Sequence, residues 1–146
     1  MISIAEFIKL LEAILALIHR QRLPPPAAVK NLTVAVNRST KMATATLKWT
    51  DPTTRTDGSA LAPTDIAGVD IFDTAAPNPD ILIGHVLGGV GTFTTDTLTV
   101  GDHAFTVVVT DTAGHKSAAS NAVHIAVEAT QAAPSPVADL SATLNA

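Results

Sequence analysis

Histidines and carboxylates are the side chains in this sequence that could carry catalysis or bind a metal. The five histidines are widely separated, and no pair has the His-x-x-x-His spacing that places two imidazoles on one face of a helix. No acidic residue stands at Glu-x-x-His spacing from any of them. The pattern therefore predicts no metal site at His19, His85, His103, His115 or His124.

The remaining polar groups also lack a catalytic arrangement. Ser117 and Ser120 have no nucleophile-elbow glycines, and the glycines at 88, 89 and 91 have neither the lysine nor the following helix of a phosphate loop. Several aspartates gather around the predicted second and third strands, but their spacing is not that of an EF-hand. Turn and edge roles are predicted instead for Asp51, Asp57, Asp65, Asp70 and Asp73. We expect a protein that is not an enzyme and has no cofactor.

Composition restricts the classes of partner. The chain has 146 residues and no cysteine, so neither disulfides nor cysteine chemistry is available. A net charge of −4 argues against nucleic acid as the main partner. Charged residues make up 15% and hydrophobic residues 47% of the chain, whereas soluble domains are typically about 25% charged. This balance indicates that part of the surface is covered by another molecule.

The first 22 residues have the pattern of an amphipathic helix that ends in basic residues. Glu6, Lys9 and Glu12 interrupt any membrane-length apolar window and do not suit a signal peptide. Binding in the plane of a membrane and packing on the chain's own domain are alternatives. The apolar side repeats with 4-3-4-3 spacing and is wide, which favours a bundle of three or more helices. We predict oligomerisation or anchoring through Ile4, Phe7, Ile8, Leu11, Ile14, Leu15 and Ile18.

Three prolines mark the end of this helix. Pro24, Pro25 and Pro26 cannot continue a helix and favour an extended polyproline conformation. Residues 23–27 are therefore predicted to be a short, stiff spacer between the helix and the rest of the chain.

From residue 28 to residue 128 the hydrophobic period changes to two. Seven short apolar–polar alternations are separated by turn clusters rich in Gly, Asp, Asn and Pro. The pattern predicts an all-β, seven-stranded antiparallel sandwich, with weaker strands near residues 67–72, 81–87 and 91–98. Its predicted core consists of Leu32, Leu47, Trp49, Val69, Ile71, Leu98, Phe105, Val107, Val109, Val123 and Ile125.

This region resembles a fibronectin type III domain, in the form found in bacterial and tailed-phage structural proteins. The resemblance runs from about Pro25 to Glu128 and is carried by PPAAVKNLTV, ATLKWTDPTTRTDGSAL, DIAGVDIFDT and LTVGDHAFTVVVTDTAGHKSAASNAVHIAV. Trp49 stands at the core-tryptophan position. Val69 and Phe105 stand where family members usually have tyrosine, so a tyrosine-corner hydrogen bond cannot form at Phe105.

The last residues repeat the start of the sandwich. PSPVADLSATLNA follows the same order as PPAAVKNLTVAVN, with prolines, then Val, then Asn or Asp followed by Leu. We expect residues 129–146 to be a linker and a strand-like tail that can add to a sheet edge through Val137, Leu140 and Leu144. A longer natural chain, in which this segment begins another domain, is the alternative.

These patterns favour a structural protein over an enzyme. The resemblance implies a sandwich displayed from a helical anchor, as a homo-oligomer that contacts other structural proteins, in a phage virion (capsid decoration, head fibre, neck or tail) made in the bacterial cytoplasm. The alternative is an extracellular accessory or adhesion module of a secreted bacterial protein that binds a host surface glycan. Neither nucleic acid nor a membrane is expected as partner.

A basic stretch lies between the helix and the middle of the chain. It contains one acid, Asp51, and predicts that the helix-bearing end docks on an acidic surface. Its bases are Arg20, Arg22, Lys30, Arg38, Lys41, Lys48 and Arg55.

Overall fold

The structure is a computed structural model that describes residues 2–39, 42–75 and 81–129. These residues form one α-helix, one short 3₁₀ turn (Pro63–Asp65) and seven strands. The helix and strands are α1 Ile4–Gln21, β1 Thr33–Ser39, β2 Met42–Lys48, β3 Ile66–Asp73, β4 Ile81–Leu87, β5 Thr92–Thr94, β6 Gly101–Asp111 and β7 Val123–Val127.

The strands form two sheets, and all their pairings are antiparallel. In the described part of the chain one sheet has the order β1-β2-β5 and the other the order β4-β3-β6-β7. Alternating side chains of β2, β3 and β6 fill the space between the sheets, as expected where each strand buries one face. The predicted all-β sandwich with an N-terminal helix is confirmed.

The core lies between the two sheets. Of the residues predicted to form it, Leu98, Val123 and Ile125 are partly buried at its margin. The other eight are buried: Leu32, Leu47, Trp49, Val69, Ile71, Phe105, Val107 and Val109. Phe93 on β5 packs against Gly84 on β4, where a β-carbon would overlap its ring. Glycine at residue 84 therefore allows the short β5 strand to close over the core.

The predicted strand over residues 91–98 is shorter in the structure. Regular pairing with β2 ends at Thr94, after which the Thr95 hydroxyl accepts the Ala45 backbone N–H at 3.0 Å. The backbone N–H of Leu98 donates to the Ala43 carbonyl at 2.8 Å. The chain thus stays beside β2 through separate contacts, and the side-chain bond replaces part of the ladder.

The sandwich has two distinct ends. At one end, which we call the helix end, Pro26 bridges to Arg55 in the β2–β3 loop, close to Asp111 where β6 finishes. At the opposite end, Val127 of β7 pairs with Gly101, the first residue of β6. Because β6 has 11 residues, these ends are separated by about 35 Å at the rise of an extended strand.

Candidate assembly surface

The helix α1 presents an apolar face that nothing in the described structure covers. Each of its large apolar side chains is exposed, from 45% for Ile14 to 82% for Ile4. None of the helix residues is buried. We define the apolar face by Ile4, Phe7, Ile8, Leu10, Leu11, Ile14, Leu15, Leu17 and Ile18. A contiguous apolar surface of this size marks a site of interaction.

The start of α1 is fixed by its own side chains. The Ser3 hydroxyl accepts the Glu6 backbone N–H at 3.2 Å, and the Glu6 carboxylate accepts the Ser3 backbone N–H at 2.8 Å. This reciprocal capping box satisfies two of the N–H groups that a helix start leaves unpaired. No helix in the described residues is both long and apolar enough to cross a membrane.

The prolines that follow α1 are fastened to the sandwich. The Pro24 carbonyl accepts the Arg55 guanidinium at 2.9 Å, and the Pro25 carbonyl accepts the Thr56 backbone N–H at 3.0 Å. Proline lacks a backbone N–H, so these residues contribute only acceptors to the contact. The predicted spacer is thus held against the β2–β3 loop, and two residues, Arg22 and Leu23, separate α1 from this attachment.

Arg55 joins the proline segment to the end of β6. Its guanidinium donates to the Asp111 carboxylate at 2.7 Å, and both residues are buried, with 5% and 2% of their surface exposed. We call Pro24, Arg55 and Asp111 the linker clamp. Asp111 also accepts the backbone N–H groups of Ala113 and His115 at 2.9 Å.

Burial alone would raise the pKa of Asp111, but the hydrogen bonds from Arg55 and from the His115 backbone outweigh it and lower the pKa from 3.8 to about 2. The carboxylate therefore stays charged opposite Arg55 at neutral pH. The prediction that the basic stretch docks on an acidic surface is therefore wrong for Arg55, because this residue is buried in the linker clamp and cannot contact such a surface.

His103 lies at the opposite end of the sandwich, stacked on Phe105 with ring centroids 6.0 Å apart. Its Nδ1 lies 2.6 Å from the Asp73 carboxylate and its Nε2 lies 3.0 Å from the Thr99 carbonyl. Both partners are acceptors, so the imidazolium form, which has two N–H donors, fits both. Burial would lower the pKa of His103, but the hydrogen bonds to Asp73 and Thr99 raise it.

The raised pKa of His103 predicts a pH-dependent stability. A group whose pKa is higher in the folded state stabilises that state fully below its unfolded value, 6.5, and the contribution is lost as pH rises through the folded pKa. We expect the difference in unfolding free energy between the parent protein and His103→Gln to shrink as pH increases above 6.5. Urea unfolding at a series of pH values measures it, and a difference independent of pH would contradict the imidazolium assignment.

The other aspartates predicted to have turn and edge roles serve as hydrogen-bond acceptors. Asp51 accepts the Trp49 indole N–H at 2.9 Å and the Gly89 backbone N–H at 2.7 Å. The Asp57 carboxylate accepts the backbone N–H and the hydroxyl of Ser59 within its own turn.

The Asp70 carboxylate accepts the Lys116 ammonium group at 3.1 Å and lies 2.7 Å from Nδ1 of His85. The Asp65 backbone carbonyl accepts the Thr112 N–H. Among the described residues, no group of three or more potential metal ligands is found.

A glycan-binding platform would require exposed aromatic rings. Trp49 and Phe93 are packed in or against the core, and Phe72 is half-buried on β3. A recess of about 350 Å³ beside β7 is lined by Asp102, His103, His124, Ile125 and Ala126; none of these is tryptophan, tyrosine or phenylalanine. In the described residues the exposed aromatic side chain is Phe7, on the apolar face of α1.

Comparison with known proteins identifies the architecture. No protein-family model and no curated protein matches the sequence. The fibronectin type III domain of the human KIAA0970 protein is similar in structure: it is 13% identical, with a TM-score of 0.52 over 82% of this chain and 87% of that domain. The sandwich has a fibronectin type III fold. The resemblance predicted from the sequence is confirmed at the level of fold.

The same fold occurs inside larger bacterial enzymes. The Clostridium perfringens spore cortex lytic enzyme SleM matches with a TM-score of 0.51 and 17% identity, over 70% of this chain and 29% of that one. The Yersinia enterocolitica family 28 exopolygalacturonase matches with a TM-score of 0.50 and 17% identity, over 70% of this chain and 20% of that one. This chain thus spans less than a third of either enzyme.

The structure separates the predicted assembly residues into two groups. All of the predicted helix residues are exposed and lie together on the apolar face of α1: Ile4, Phe7, Ile8, Leu11, Ile14, Leu15 and Ile18. The predicted strand-addition residues Val137, Leu140 and Leu144 lie outside the described residues. The linker clamp was missed by sequence reasoning, because Arg55 and Asp111 are 56 positions apart and each stands in an ordinary turn sequence.

Proposed function

We propose that this protein is a non-enzymatic structural component that displays a fibronectin type III-like sandwich from a self-associating N-terminal helix. The observation that carries the proposal is the exposure of the whole apolar face of α1. Burying one large aliphatic or aromatic side chain is worth about 1.5–3 kcal/mol. Nine such side chains on one short helix supply enough apolar surface to offset the cost of association.

The linker clamp supports a display role. Because Pro24 and Pro25 are hydrogen-bonded to the β2–β3 loop, the sandwich follows the helix through a short connection and not through a long flexible linker. The described residues of the sandwich contain no catalytic arrangement of side chains, so its outer surface is available for contacts with other molecules. An assembly built on α1 would therefore hold several sandwiches around a helical hub.

The decisive test is the assembly state of a variant with charges in the apolar face. Leu11→Asp with Leu15→Asp places two carboxylates where the apolar side chains would be buried, and unpaired buried charge is strongly unfavourable. We expect the parent protein to be oligomeric by analytical ultracentrifugation or native mass spectrometry, and the double variant to be monomeric. Because none of α1 is buried in the sandwich, the β signal in circular dichroism should remain.

A matched control adds the same charge to the other side of α1. Ala13→Asp with Ala16→Asp introduces the same two carboxylates on the opposite, polar side of α1, where both alanines are exposed. This control should keep the parent mass. A monomeric parent protein, or a control that dissociates as the Leu11 and Leu15 variant does, would contradict self-association through the apolar face.

We propose further that the assembly is part of a tailed-phage virion, as a capsid decoration, head fibre, neck or tail accessory protein made in the bacterial cytoplasm. Its support is the resemblance noted above, since fibronectin type III-like and immunoglobulin-like domains are frequent in accessory proteins of phage heads and tails. The absence of cysteine agrees with assembly in a reducing compartment. Mass spectrometry of purified virions from a strain that carries the gene tests it; absence of the protein from intact particles would contradict it.

An accessory module of a secreted bacterial enzyme is the second candidate. SleM and the exopolygalacturonase contain a domain of this fold within longer chains. The described surface offers few rings for stacking on sugars, which makes this candidate weaker. Co-sedimentation of the Leu11→Asp, Leu15→Asp variant with insoluble polysaccharide would favour it, because that variant removes association through α1.

A further inference from the structure

The direction in which α1 pairs can be read from its charges and from the attachment of the sandwich. We propose that neighbouring copies of α1 pack antiparallel, so that the sandwiches of two paired chains lie at opposite ends of the helical contact. This inference rests on the proposed self-association and adds the orientation of the partner, which is a second copy of this chain.

The apolar seam ends at a charged residue. Ile4, Ile8, Leu11, Leu15 and Ile18 follow a 4-3-4-3 spacing, and Arg22, four residues after Ile18, occupies the next position. In a parallel bundle, the Arg22 side chains of all copies would meet in one layer of the seam. Like charges that lose water in this way are strongly unfavourable. In an antiparallel pair centred on Leu11, Ile4 lies beside Ile18 of the second copy and Arg22 lies beyond the last apolar layer.

The attachment of the sandwich favours the same direction. Two residues, Arg22 and Leu23, join Gln21 to the clamped Pro24, and the three Cα–Cα steps from Gln21 to Pro24 span at most about 11 Å. Packed helices lie about 8–10 Å apart, whereas a domain of 100 residues has a radius of gyration of about 13 Å. Parallel helices would crowd the sandwiches at one end. Antiparallel helices separate them by the length of α1, 18 residues or about 27 Å.

Distance measurements between spin labels can distinguish the two directions, because the chain has no native cysteine. Ala13→Cys and Arg20→Cys place single labels at exposed positions two helical turns apart, on the same side of α1, opposite the seam. In the antiparallel pairing centred on Leu11, labels of two copies are offset along the axis by about 6 Å at Ala13 and about 27 Å at Arg20. We expect the Arg20 variant to show a longer distance component that is absent from the Ala13 variant.

Each outcome decides between the alternatives. Equal distance distributions at both positions, in a protein that is oligomeric by mass, would overturn the antiparallel direction and leave self-association intact. Absence of any intermolecular distance, together with a monomeric mass, would overturn both proposals. Adding Leu11→Asp and Leu15→Asp to each labelled variant is the control, and it should abolish the intermolecular distances at both positions.

Discussion

Asp111→Asn should destabilise the sandwich by about 3–5 kcal/mol, the usual cost of removing one partner from a buried ion pair. The substitution keeps the shape of the side chain and leaves the buried Arg55 guanidinium without a counter-charge. The lowered pKa of Asp111, about 2 against 3.8, by itself corresponds to a stabilisation of about 2 kcal/mol. The larger expected loss includes the cost of the orphaned guanidinium.

The matched control is Asp70→Asn, the same chemical change on the same sheet. Asp70 pairs with Lys116, whose side chain is exposed, and exposed ion pairs are worth about 0–1 kcal/mol. Urea unfolding followed by circular dichroism measures both losses. Equal losses at Asp70 and Asp111 would contradict a special role for the linker clamp.

Low pH should reduce the loss of unfolding free energy that Asp111→Asn causes. A carboxylate whose pKa is lowered on folding stabilises the folded state above its unfolded pKa, and this contribution is lost as pH falls through the folded pKa. For Asp111 the window lies between pH 3.8 and about 2. The difference between the parent protein and Asp111→Asn should therefore be constant near neutral pH and should decrease below about pH 4.

The period of the hydrophobic residues was enough to predict the strands. Burial of one face makes side chains alternate along a strand, so Leu47, Trp49, Phe105 and Val107 could be assigned to the core from local sequence, and all are buried. The predicted β5 extended too far because at Thr95 the side-chain hydroxyl accepts the Ala45 N–H, although the Thr95 backbone N–H still donates to the Ala45 carbonyl. Local periodicity does not report such a substitution of side chain for backbone.

Contacts between distant turns could not be predicted in the same way. Asn121, 89 positions from Leu32, holds the chain before β1 with its side-chain amide, which accepts the Leu32 backbone N–H and donates to the Leu32 carbonyl, both at 3.1 Å. His103 likewise takes one partner from β3 and another from the segment before β6. Their partners depend on how the sheets place the turns, and turn residues such as Asn and Asp are common for local reasons alone.

For the apolar face of α1, the residues could be predicted from the sequence, but the surface that covers them could not. Its amphipathic pattern was evident from the spacing of Ile4, Ile8, Leu11, Leu15 and Ile18, but a pattern cannot say which surface covers it. The structure shows that the sandwich of the same chain does not. The direction of pairing then follows from two features beyond the pattern, the position of Arg22 and the short connection to the linker clamp.

Trp49→Ala should lower the unfolding free energy by about 3–5 kcal/mol, the range for emptying a buried aromatic site. Trp49 is 7% exposed, and its backbone N–H donates to the Gly91 carbonyl at 3.0 Å. Its indole N–H donates to Asp51, which also accepts Gly89. The substitution thus creates a cavity and removes the indole hydrogen bond that connects β2, through Asp51, to the turn after β4.

Trp49→Phe is the matched control, because it keeps an aromatic ring and removes the indole N–H. We expect a smaller loss of unfolding free energy for this variant. Since Trp49 is the single tryptophan, unfolding should be followed by far-ultraviolet circular dichroism and not by tryptophan fluorescence. A loss below about 1 kcal/mol for Trp49→Ala, well short of the cavity cost, would mean that this side chain is exposed in solution and that the register of β2 is wrong.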